Sequence, residues 1–362
     1  MTANKVTVGL VYGGKSGEHE VSLQTGFAVM NAFDYTKYDI VPFYITLRGE
    51  WRMGGKLDAP MKAVDDMKLE SAAGGTAEAA GAMFASLSGR ESGIDVMFPL
   101  LHGTFGEDGT VQGLFEMAGL PYVGAGVLSS SAGMDKDVMK KLFAAAGLEQ
   151  GAYIAFGERD WQVSRHDLLQ EAESKLGYPC FVKPANLGSS VGISKAGDQE
   201  ALIDAVDLAL RYDRKVLIES FIDGRELEVG VLGNDEPQAS VPGEIVSSGD
   251  YYDYNAKYID GKSEMMIPAP VDADLADSLR ELAVRAFKAV EGSGLCRADF
   301  FVRRSDNKIL INEVNTMPGF TPFSMYPLLW RETGMSYQAL LDRLIGLALE
   351  RHEARTNLQY GR

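Results

Sequence analysis

The stretch CRADFFVRRSDNKILINEVN, residues 296–315, is the most informative segment of the chain, because it contains two apolar runs typical of β-strands. The polar residues 305–307 between them predict a tight turn, so the two runs form a hairpin. A three-residue loop then sets the register. The predicted pairs are Asp299 with Glu313 and Arg297 with Asn315. Because side chains alternate between the faces of a strand, these four share one face.

Two carboxylates and an amide oxygen on one face predict a Mg²⁺ site, since Mg²⁺ prefers hard oxygen ligands and shares them with substrate phosphates. Like charges that face each other across a strand pair are destabilising unless a cation lies between them. The alternative is an acidic hairpin that faces solvent. We favour the metal site, because the same register places the apolar Phe301, Ile309 and Ile311 on that face. A two-residue loop would turn one strand over and separate the carboxylates.

Upstream of the hairpin, strand and helix patterns alternate along the first third of the chain. VTVGLVYGG (6–14) is typical of a buried strand and is followed by apolar residues at helical spacing, an alternation that predicts a mainly parallel sheet with helices on both faces. The pattern then changes to strand pairs interleaved with helices. We therefore predict a fold of mixed α/β and α+β class. The predicted domains are 1–130, with a surface excursion at 53–93, then 131–223 and 224–362.

The composition excludes several classes of function. The 362 residues contain 35 Lys and Arg against 51 Asp and Glu, and the net charge of −16 excludes a strongly basic nucleic-acid surface. Cys180 and Cys296 are too few and too far apart for a disulfide framework, which indicates a reducing compartment. The apolar N-terminal stretch is unlike a signal peptide, and we see no run of about 18 apolar residues that would span a membrane. We expect a cytoplasmic protein with no nucleic-acid or membrane partner.

Small residues after a strand predict a phosphate-binding loop. In FVKPANLGSSVGI (181–193), Lys183 ends a strand and Ser189 and Ser190 lie in the following loop, where backbone amides can approach phosphate oxygens. The alternative is an exposed hairpin loop. A second match to a phosphate motif, GLVYGGKS (9–16), is rejected because its first glycine lies inside a predicted strand.

Two other segments carry polar groups in an unusual context. In KVLIESFIDGRELEVGVLG (215–233), Glu219 and Glu226 interrupt apolar strands and are suited either to an adenine amino group and ribose hydroxyls or to salt bridges. GDYYDYNAKY (249–258) packs four tyrosines around Lys257 and predicts either a lid over a site or an exposed aromatic loop.

In this order, the segments resemble the ATP-grasp superfamily, and specifically the D-alanine–D-alanine ligases of bacterial cell-wall synthesis. The resemblance covers residues 6–346 outside 53–93. The motifs that carry it are GGKSGEHEVS, HGTFGEDGTVQG, MDKDVMKK, FVKPANLGSSVG, IESFIDGRE, YDYNAKY, RADFFV and NEVNTMPGFT. It implies a Rossmann-like, pre-ATP-grasp domain followed by a two-lobed ATP-grasp fold.

The resemblance also implies which residues hold the nucleotide and its metal ions. Lys136 and Lys183 would hold the ATP phosphates together with the loop that contains Ser189 and Ser190. Adenine and ribose would be held by Glu219, the backbone of Ser220 and Ile222, and Glu226. Asp299, Glu313 and Asn315 would bind two Mg²⁺ ions, with Glu313 bridging them and Mn²⁺ able to substitute.

For the amino acids, the resemblance implies that Glu18 takes the ammonium group of the first D-alanine, with His102 nearby. Arg297 and the Gly319 backbone would stabilise the oxyanion, and Ser324 would hold the second carboxylate. A latch of Glu18, Ser189 and Tyr258 would close while Lys257 reaches the transferred phosphoryl group. Met325 departs from the Leu of compact members and from the Arg of D-serine or D-lactate relatives at the second subsite.

The implied reaction joins two D-alanine molecules through an acyl phosphate and releases ADP and phosphate, and the implied assembly is a homodimer. An ATP-grasp ligase of another pair, such as D-alanine with D-lactate or D-serine, is the alternative. Tyr258 favours the dipeptide, because relatives that use D-lactate tend to carry Phe there or to lack the AKY pattern. Arg297 argues against a nucleotide-binding module without catalysis, since nucleotide binding alone requires no cation placed for an oxyanion.

Overall fold

The computed structural model describes residues 5–70, 93–188, 191–246 and 264–359. Within these ranges thirteen strands form three sheets. The strands are β1 (Val6–Gly13), β2 (Tyr38–Ile45), β3 (Trp51–Met53), β4 (Val96–Pro99), β5 (Tyr153–Gly157), β6 (Cys180–Pro184), β7 (Ser194–Ala196), β8 (Lys215–Ser220), β9 (Gly224–Gly233), β10 (Gln238–Val246), β11 (Glu264–Met266), β12 (Gly294–Arg303) and β13 (Ile309–Asn315). The α-helices are α1 (His19–Ala32), α2 (Thr110–Ala118), α3 (Val127–Met134), α4 (Lys136–Ala145), α5 (Glu158–Lys175), α6 (Gln199–Ala209), α7 (Ala273–Ala289), α8 (Met325–Glu332) and α9 (Tyr337–Thr356).

The first sheet has the strand order β3-β2-β1-β4. Strand β1 pairs in parallel with β2 and β4, and the short β3 adds an antiparallel edge. All of β1 after Val6 is buried, as expected for a central parallel strand that is covered on both faces. The predicted parallel sheet is confirmed. Gly9 and Gly13 both belong to β1, which confirms that the GLVYGGKS match is not a phosphate loop.

Helices cover both faces of this sheet. Val8 and Leu10 of β1 pack with Leu23 of α1 in one apolar core. Val11, which points to the other face of β1, packs with Phe115 of α2 in a second core. The alternation of side chains along one strand therefore supplies apolar residues to two separate layers.

The last helix returns to this first domain. Leu340, Leu344 and Leu347 of α9 belong to the same core as Val8. The guanidinium of Arg351 lies 4.3 Å from the centre of the Tyr122 ring and donates a hydrogen bond to the Tyr122 carbonyl at 2.9 Å. The segment 337–356, which falls inside the third predicted domain, thus packs against the first.

The second and third sheets are antiparallel, in the orders β5-β8-β6-β7 and β11-β10-β9-β12-β13. Helix α6 packs its buried Leu202 and Val206 against the second sheet, and α7 packs Leu279 and Phe287 against the third. This arrangement confirms the predicted α+β class for the rest of the chain.

Aspartate caps fix where three of these helices begin. The side chains of Asp135, Asp198 and Asp272 accept hydrogen bonds from backbone amides of the first turns of α4, α6 and α7. Such caps satisfy amides that have no partner inside the helix. The first of them places Lys136 at the first position of α4.

The β12–β13 hairpin has the predicted pairs but not the predicted loop. Asp299 pairs with Glu313 and Arg297 with Asn315, as expected. The loop is one residue longer than predicted, because the Arg303 amide donates to the Lys308 carbonyl and the four residues 304–307 form the turn. The register shifts between Asp299 and Phe300, which leaves one extra residue in β13 as a β-bulge.

The bulge changes which face the residues near the turn occupy. Ile309 and Ile311 pack into the core with Phe300 and Val302. The prediction that both isoleucines share a face with the carboxylates is therefore wrong. The carboxylates nevertheless come together, because the bulge restores the predicted register at Glu313.

Part of the predicted surface excursion packs against the first domain. Residues 54–70 are mostly exposed or half-buried, but Met67 is fully buried and its carbonyl accepts a hydrogen bond from the Tyr12 hydroxyl at 3.0 Å. Residues 71–92 lie outside the described ranges. Among the helices described, none combines the length and the apolar character needed to cross a membrane.

Candidate active site

A cavity of about 420 Å³ lies between the second and third sheets. Nine of the residues predicted from the sequence line it, and they come from both sheets, from the N-terminus of α4 and from the connection between β8 and β9. They are Lys136, Lys183, Glu219, Ser220, Ile222, Glu226, Asp299, Glu313 and Asn315. The structure therefore brings the predicted nucleotide and metal residues to one cleft.

Glu219 lies between two lysines in this cleft. Its Oε2 is 2.6 Å from Nζ of Lys183, and its Oε1 is 2.9 Å from Nζ of Lys140. Burial alone would raise the pKa of Glu219, but the two ammonium groups lower it well below its usual range. Burial would likewise lower the pKa of Lys183, whereas Glu219 and then Glu313 raise it. Both groups are therefore charged at neutral pH.

Lys140 was not singled out from the sequence. It lies one helical turn after Lys136 on α4, and both side chains are buried. That spacing places both side chains on one side of the helix. Helical spacing from Lys136 was therefore the sequence pattern that could have predicted Lys140 as a site residue.

Lys136 connects α4 to the predicted phosphate loop. Its backbone amide donates to the Ala185 carbonyl at 3.0 Å, and its Nζ donates to the Leu187 carbonyl at 2.7 Å. Both acceptors lie just before Ser189 and Ser190, which themselves fall outside the described ranges. The ammonium group of Lys136 thus lies at the start of the loop that the sequence predicts to bind phosphate.

The predicted adenine segment joins the two sheets. Strand β8 ends at Ser220 and β9 begins at Gly224, with Ile222 in the short connection. The Ser220 amide donates to the Ala152 carbonyl at 3.0 Å. Glu226 lies opposite Phe301 in the β9–β12 register, on the same side of the sheet as Asp299.

Arg297 forms the centre of the acidic face. Its Nε and Nη2 donate to the two oxygens of Asp299, both at 2.7 Å, and Nε is 3.0 Å from Oε2 of Glu228. Burial would lower the pKa of Arg297, but Asp299 and Glu228 raise it well above its usual value. Nδ2 of Asn315 also donates to Asp299, at 2.9 Å.

These residues fit a hard cation by their chemistry, since Asp299, Glu313 and Asn315 offer carboxylate and amide oxygens. The described part of the chain contains no group of three or more His, Cys, Asp and Glu side chains arranged for a metal. The predicted set has two carboxylates and one amide, so a substrate phosphate has to complete the coordination. A cation at Asp299 would compete with the guanidinium of Arg297 for the same carboxylate.

Glu18 lies where the first domain meets the phosphate loop. It immediately precedes α1 and is buried. Its Oε2 lies 2.7 Å from the position that a Cβ atom on Gly103 would occupy, and 3.3 Å from the corresponding position on Gly188. Glycine at both positions therefore leaves room for this carboxylate.

His102 is held beside Glu18 by a second acidic residue. Its Nδ1 is 3.9 Å from Oε1 of Glu107, and its Nε2 is 3.2 Å from the Thr25 hydroxyl. Burial opposes the charged form of His102, but Glu107 and Glu18 raise its pKa. Glu107 was not among the predicted site residues, although it lies in the quoted motif HGTFGEDGTVQG.

The predicted second subsite follows β13. Oγ of Ser324 accepts a hydrogen bond from the Thr321 amide at 3.1 Å and shares one with the Thr321 hydroxyl at 2.8 Å. A Cβ atom on Gly319 would lie 3.2 Å from that oxygen. Met325, in contrast, is buried in an apolar cluster with Ile245 and Leu329, a cluster that also packs against Ile267.

Two of the predicted residues, Lys257 and Tyr258, lie outside the described ranges, as do Ser189 and Ser190. Their roles stay predictions. For the others, the structure places Glu18 with His102, places Arg297 with the predicted metal ligands, and places Gly319 with Ser324.

A nucleotide-sized cleft between two antiparallel sheets, beside a parallel-sheet domain, defines the class of ATP-grasp ligases. The chain belongs to the D-alanine–D-alanine ligase family. Residues 7–125 match the family model described as D-ala D-ala ligase N-terminus, and residues 142–346 match the one described as D-ala D-ala ligase C-terminus. The predicted resemblance is confirmed.

Individual relatives agree with this assignment. The chain is 53% identical over 360 residues to the D-alanine–D-alanine ligase of Bacillus licheniformis, with 98% of this chain and 99% of the relative covered. It is 52% identical over 364 residues to the ligase of the same name from Listeria monocytogenes serovar 1/2a, with 97% of each chain covered.

Solved structures share the fold over nearly the whole length. The D-alanine–D-alanine ligase from Coxiella burnetii matches with a TM-score of 0.79 and 33% identity, covering 98% of this chain and 97% of the other. The VanG D-Ala:D-Ser ligase from Enterococcus faecalis matches with a TM-score of 0.79 and 35% identity, covering 95% of this chain and 100% of the other.

Proposed function

We propose that this chain uses ATP to join two D-alanine molecules into D-alanyl-D-alanine, with release of ADP and phosphate, for peptidoglycan precursor synthesis. The observation that carries the proposal is the position of Glu18, whose carboxylate fits between Gly103 of the first domain and Gly188 of the phosphate loop. An acidic group there suits the ammonium of an amino acid whose carboxylate faces the nucleotide. Relatives that cover almost the whole chain carry the name of this activity.

In the first step, the carboxylate of one D-alanine attacks the γ-phosphorus of ATP and becomes an acyl phosphate. Two anions must meet, and the buried cations Lys183 and Arg297 reduce their repulsion. Two Mg²⁺ ions, for which Mn²⁺ is able to substitute, would neutralise phosphate charge when bound by Asp299, Glu313 and Asn315.

In the second step, the amine of the other D-alanine attacks the activated carbonyl and phosphate leaves. Arg297 and the Gly319 amide stabilise the tetrahedral oxyanion, while Ser324 holds the second carboxylate. An acyl phosphate hydrolyses in water, so the reaction requires a closed site, and a latch of Glu18, Ser189 and Tyr258 with Lys257 would provide one.

The alternative is a ligase that joins D-alanine to D-serine or D-lactate. The fold does not separate these activities, since the VanG D-Ala:D-Ser ligase shares it. Identity to the Bacillus licheniformis and Listeria monocytogenes ligases named for D-alanine on both sides is 53% and 52%, against 35% to VanG, although the Coxiella burnetii ligase of the same name is only 33% identical. The buried, apolar position of Met325 offers no polar group to a serine hydroxyl.

The deciding experiment supplies Mg-ATP with D-alanine, with L-alanine, or with D-alanine plus D-serine or D-lactate. ADP is followed by a coupled assay and the products are identified by mass. Turnover with D-alanine alone that yields the dipeptide supports the proposal. Turnover that requires D-serine or D-lactate would replace the proposed second substrate and keep the chemistry.

We also expect the enzyme to be cytoplasmic and to form a homodimer through the first domain. Met117 of α2 and Leu128 of α3 support this expectation, because their side chains are 82% and 65% exposed and apolar. Light scattering after gel filtration tests it, and Met117→Glu should shift a dimer towards monomer.

A further inference from the structure

Glu228 is a buried acidic residue in the cleft to which the sequence assigned no role. It lies on β9 directly opposite Asp299 on β12. Its Oε2 is 3.0 Å from Nε of Arg297, while the hydrogen bonds from Nε and Nη2 of Arg297 go to Asp299. One guanidinium therefore lies between two carboxylates on neighbouring strands.

This arrangement conflicts with the proposed use of Asp299 as a metal ligand. Both of its oxygens accept charge-assisted hydrogen bonds from Arg297, and such paired contacts are among the strongest in proteins. The guanidinium therefore competes with a cation for Asp299, and a cation that takes the oxygen facing Nε leaves Nε without that acceptor. A buried guanidinium that loses its partner is destabilised strongly, so Arg297 requires a second acceptor.

Glu228 supplies that acceptor without a change of backbone, because its Oε2 already lies at hydrogen-bonding distance from Nε. Two other acidic groups near the cleft have different partners. Glu219 contacts two lysines, and Glu244 accepts hydrogen bonds from Arg225 at 2.7 and 2.6 Å.

We propose that Glu228 is a positioning residue that takes over Nε of Arg297 when Asp299 turns to the metal, and so holds the guanidinium ready for the oxyanion. The inference rests on the proposed roles of Arg297 and Asp299. It differs from a purely structural ion pair in one respect: the contribution of Glu228 to metal binding should depend on Arg297.

The first test is Glu228→Gln, which keeps the size of the side chain and removes its charge. We expect kcat to fall by about 10-fold to 100-fold, as for changes in the outer shell of a metal site. KM for ATP, measured at saturating Mg²⁺ so that weaker metal binding is offset by mass action, should stay within about 3-fold. Glu228→Asp, which retains the charge, should recover part of kcat.

The second test is a double-mutant cycle read by Mn²⁺ binding in the presence of ADP, measured by electron paramagnetic resonance. In the wild-type background, Glu228→Gln should weaken Mn²⁺ binding by about 10-fold, because Arg297 stays on Asp299. In an Arg297→Met background, the same change should weaken it by less than about 3-fold. If Arg297→Met does not fold, Arg297→Gln, which also removes the guanidinium charge, takes its place.

An equal loss in both backgrounds would mean that Glu228 acts by its own charge, and the inference would be wrong. An unchanged kcat in Glu228→Gln would also overturn it. Glu116→Gln is the matched control, since Glu116 is a carboxylate with its own partners, Tyr122 and Arg355, in the first domain. The cycle uses no D-alanine, so it remains informative if the proposed amino-acid substrate is wrong.

Discussion

Lys183 on β6 and Glu219 on β8 form an ion pair of 2.6 Å inside the nucleotide cleft. Lys140 adds a second ammonium group on the other oxygen of Glu219, so one carboxylate neutralises part of the charge of two buried cations. A carboxylate held ionised in this way accepts hydrogen bonds, and the exocyclic amino group of adenine is a suitable donor. If Glu219 binds adenine as proposed, the ion pairs link stability to nucleotide selection.

Replacing Glu219 by Gln tests the stabilising part of this relationship. The pKa of Glu219 is lowered in the folded state, so its contribution is fully present above its unfolded value of about 4.5 and is lost as pH falls below that. At pH 7 the variant should be less stable by about 3 to 5 kcal/mol, because two buried lysines lose their partner. Urea unfolding from pH 7 down to about pH 2 should show the difference narrowing only below about pH 4.5. A constant difference would mean that Glu219 is not the titrating group.

Replacing Lys140 by Met tests the binding part. In the variant, Lys183 is the remaining ammonium partner described for Glu219. The carboxylate of Glu219 therefore attracts Lys183 more strongly than in the wild type. We expect KM for ATP to rise by about 10-fold with a smaller change in kcat, since the loss falls on ground-state binding. Lys141→Met is the control. Lys141 is the next residue along α4, but its ammonium group is exposed and pairs with Asp137 rather than with Glu219. Equal effects of the two substitutions would contradict the assignment.

Glu18→Gln should separate amino-acid binding from nucleotide binding. It removes the charge that would meet the ammonium of the first D-alanine, and we expect KM for that D-alanine to rise by about 10-fold to 100-fold. The affinity for ATP, measured by calorimetry, should change by less than about 2-fold. Collapse of ATP binding would show that Glu18 has been given the wrong role.

Gly103→Ala should disturb the same subsite by steric means. Gly103 has a φ of +75°, and a Cβ atom there would lie 2.7 Å from Oε2 of Glu18. We expect a stability loss of about 1 kcal/mol and a clear rise in KM for D-alanine. Gly113→Ala is the matched control, because a Cβ atom there meets nothing within 4 Å. A normal KM in Gly103→Ala would place the first D-alanine elsewhere.

Gly319→Ala should act on the second amino acid. The added methyl group would lie 3.2 Å from Oγ of Ser324 and would push that hydroxyl or the Gly319 amide out of place. We expect kcat/KM for the second D-alanine to fall by about 10-fold, while ATP affinity is retained. Gly346→Ala, where a Cβ atom again meets nothing within 4 Å, should behave like the wild type. Equal loss of activity in Gly319→Ala and Gly346→Ala would contradict the proposed role of Gly319 at the second subsite.

How far the sequence predicts this molecule depends on the range of each interaction. The pairs Asp299–Glu313 and Arg297–Asn315 were predictable, because the segments are close along the chain and alternation fixes their faces. The loop length and the bulge were not, since an extra residue in β13 has no signature in the apolar pattern. The correct pairs resulted from two deviations that cancel at Glu313.

The site residues that the sequence patterns did not predict are mainly ion-pair partners that lie far apart along the chain. Lys140 and Glu228 carry ordinary charged side chains. Only the tertiary structure brings Lys140 to Glu219, and only the pairing of β9 with β12 brings Glu228 to Arg297. The burial of Met325 is a similar case, since its neighbour Ile245 comes from β10. Motifs therefore predicted groups that the structure brings to one cleft, whereas their charge balance required the tertiary structure.

The return of α9 to the first sheet has a consequence for biosynthesis on the ribosome. Val8 of β1 is translated well before Leu340 and Leu344 of α9, yet the three residues share one core. The first domain is consequently left with an open apolar groove until residues 337–356 have emerged. A nascent chain stalled before residue 337 would present that groove to chaperones, and completion of the C-terminal helix would seal it.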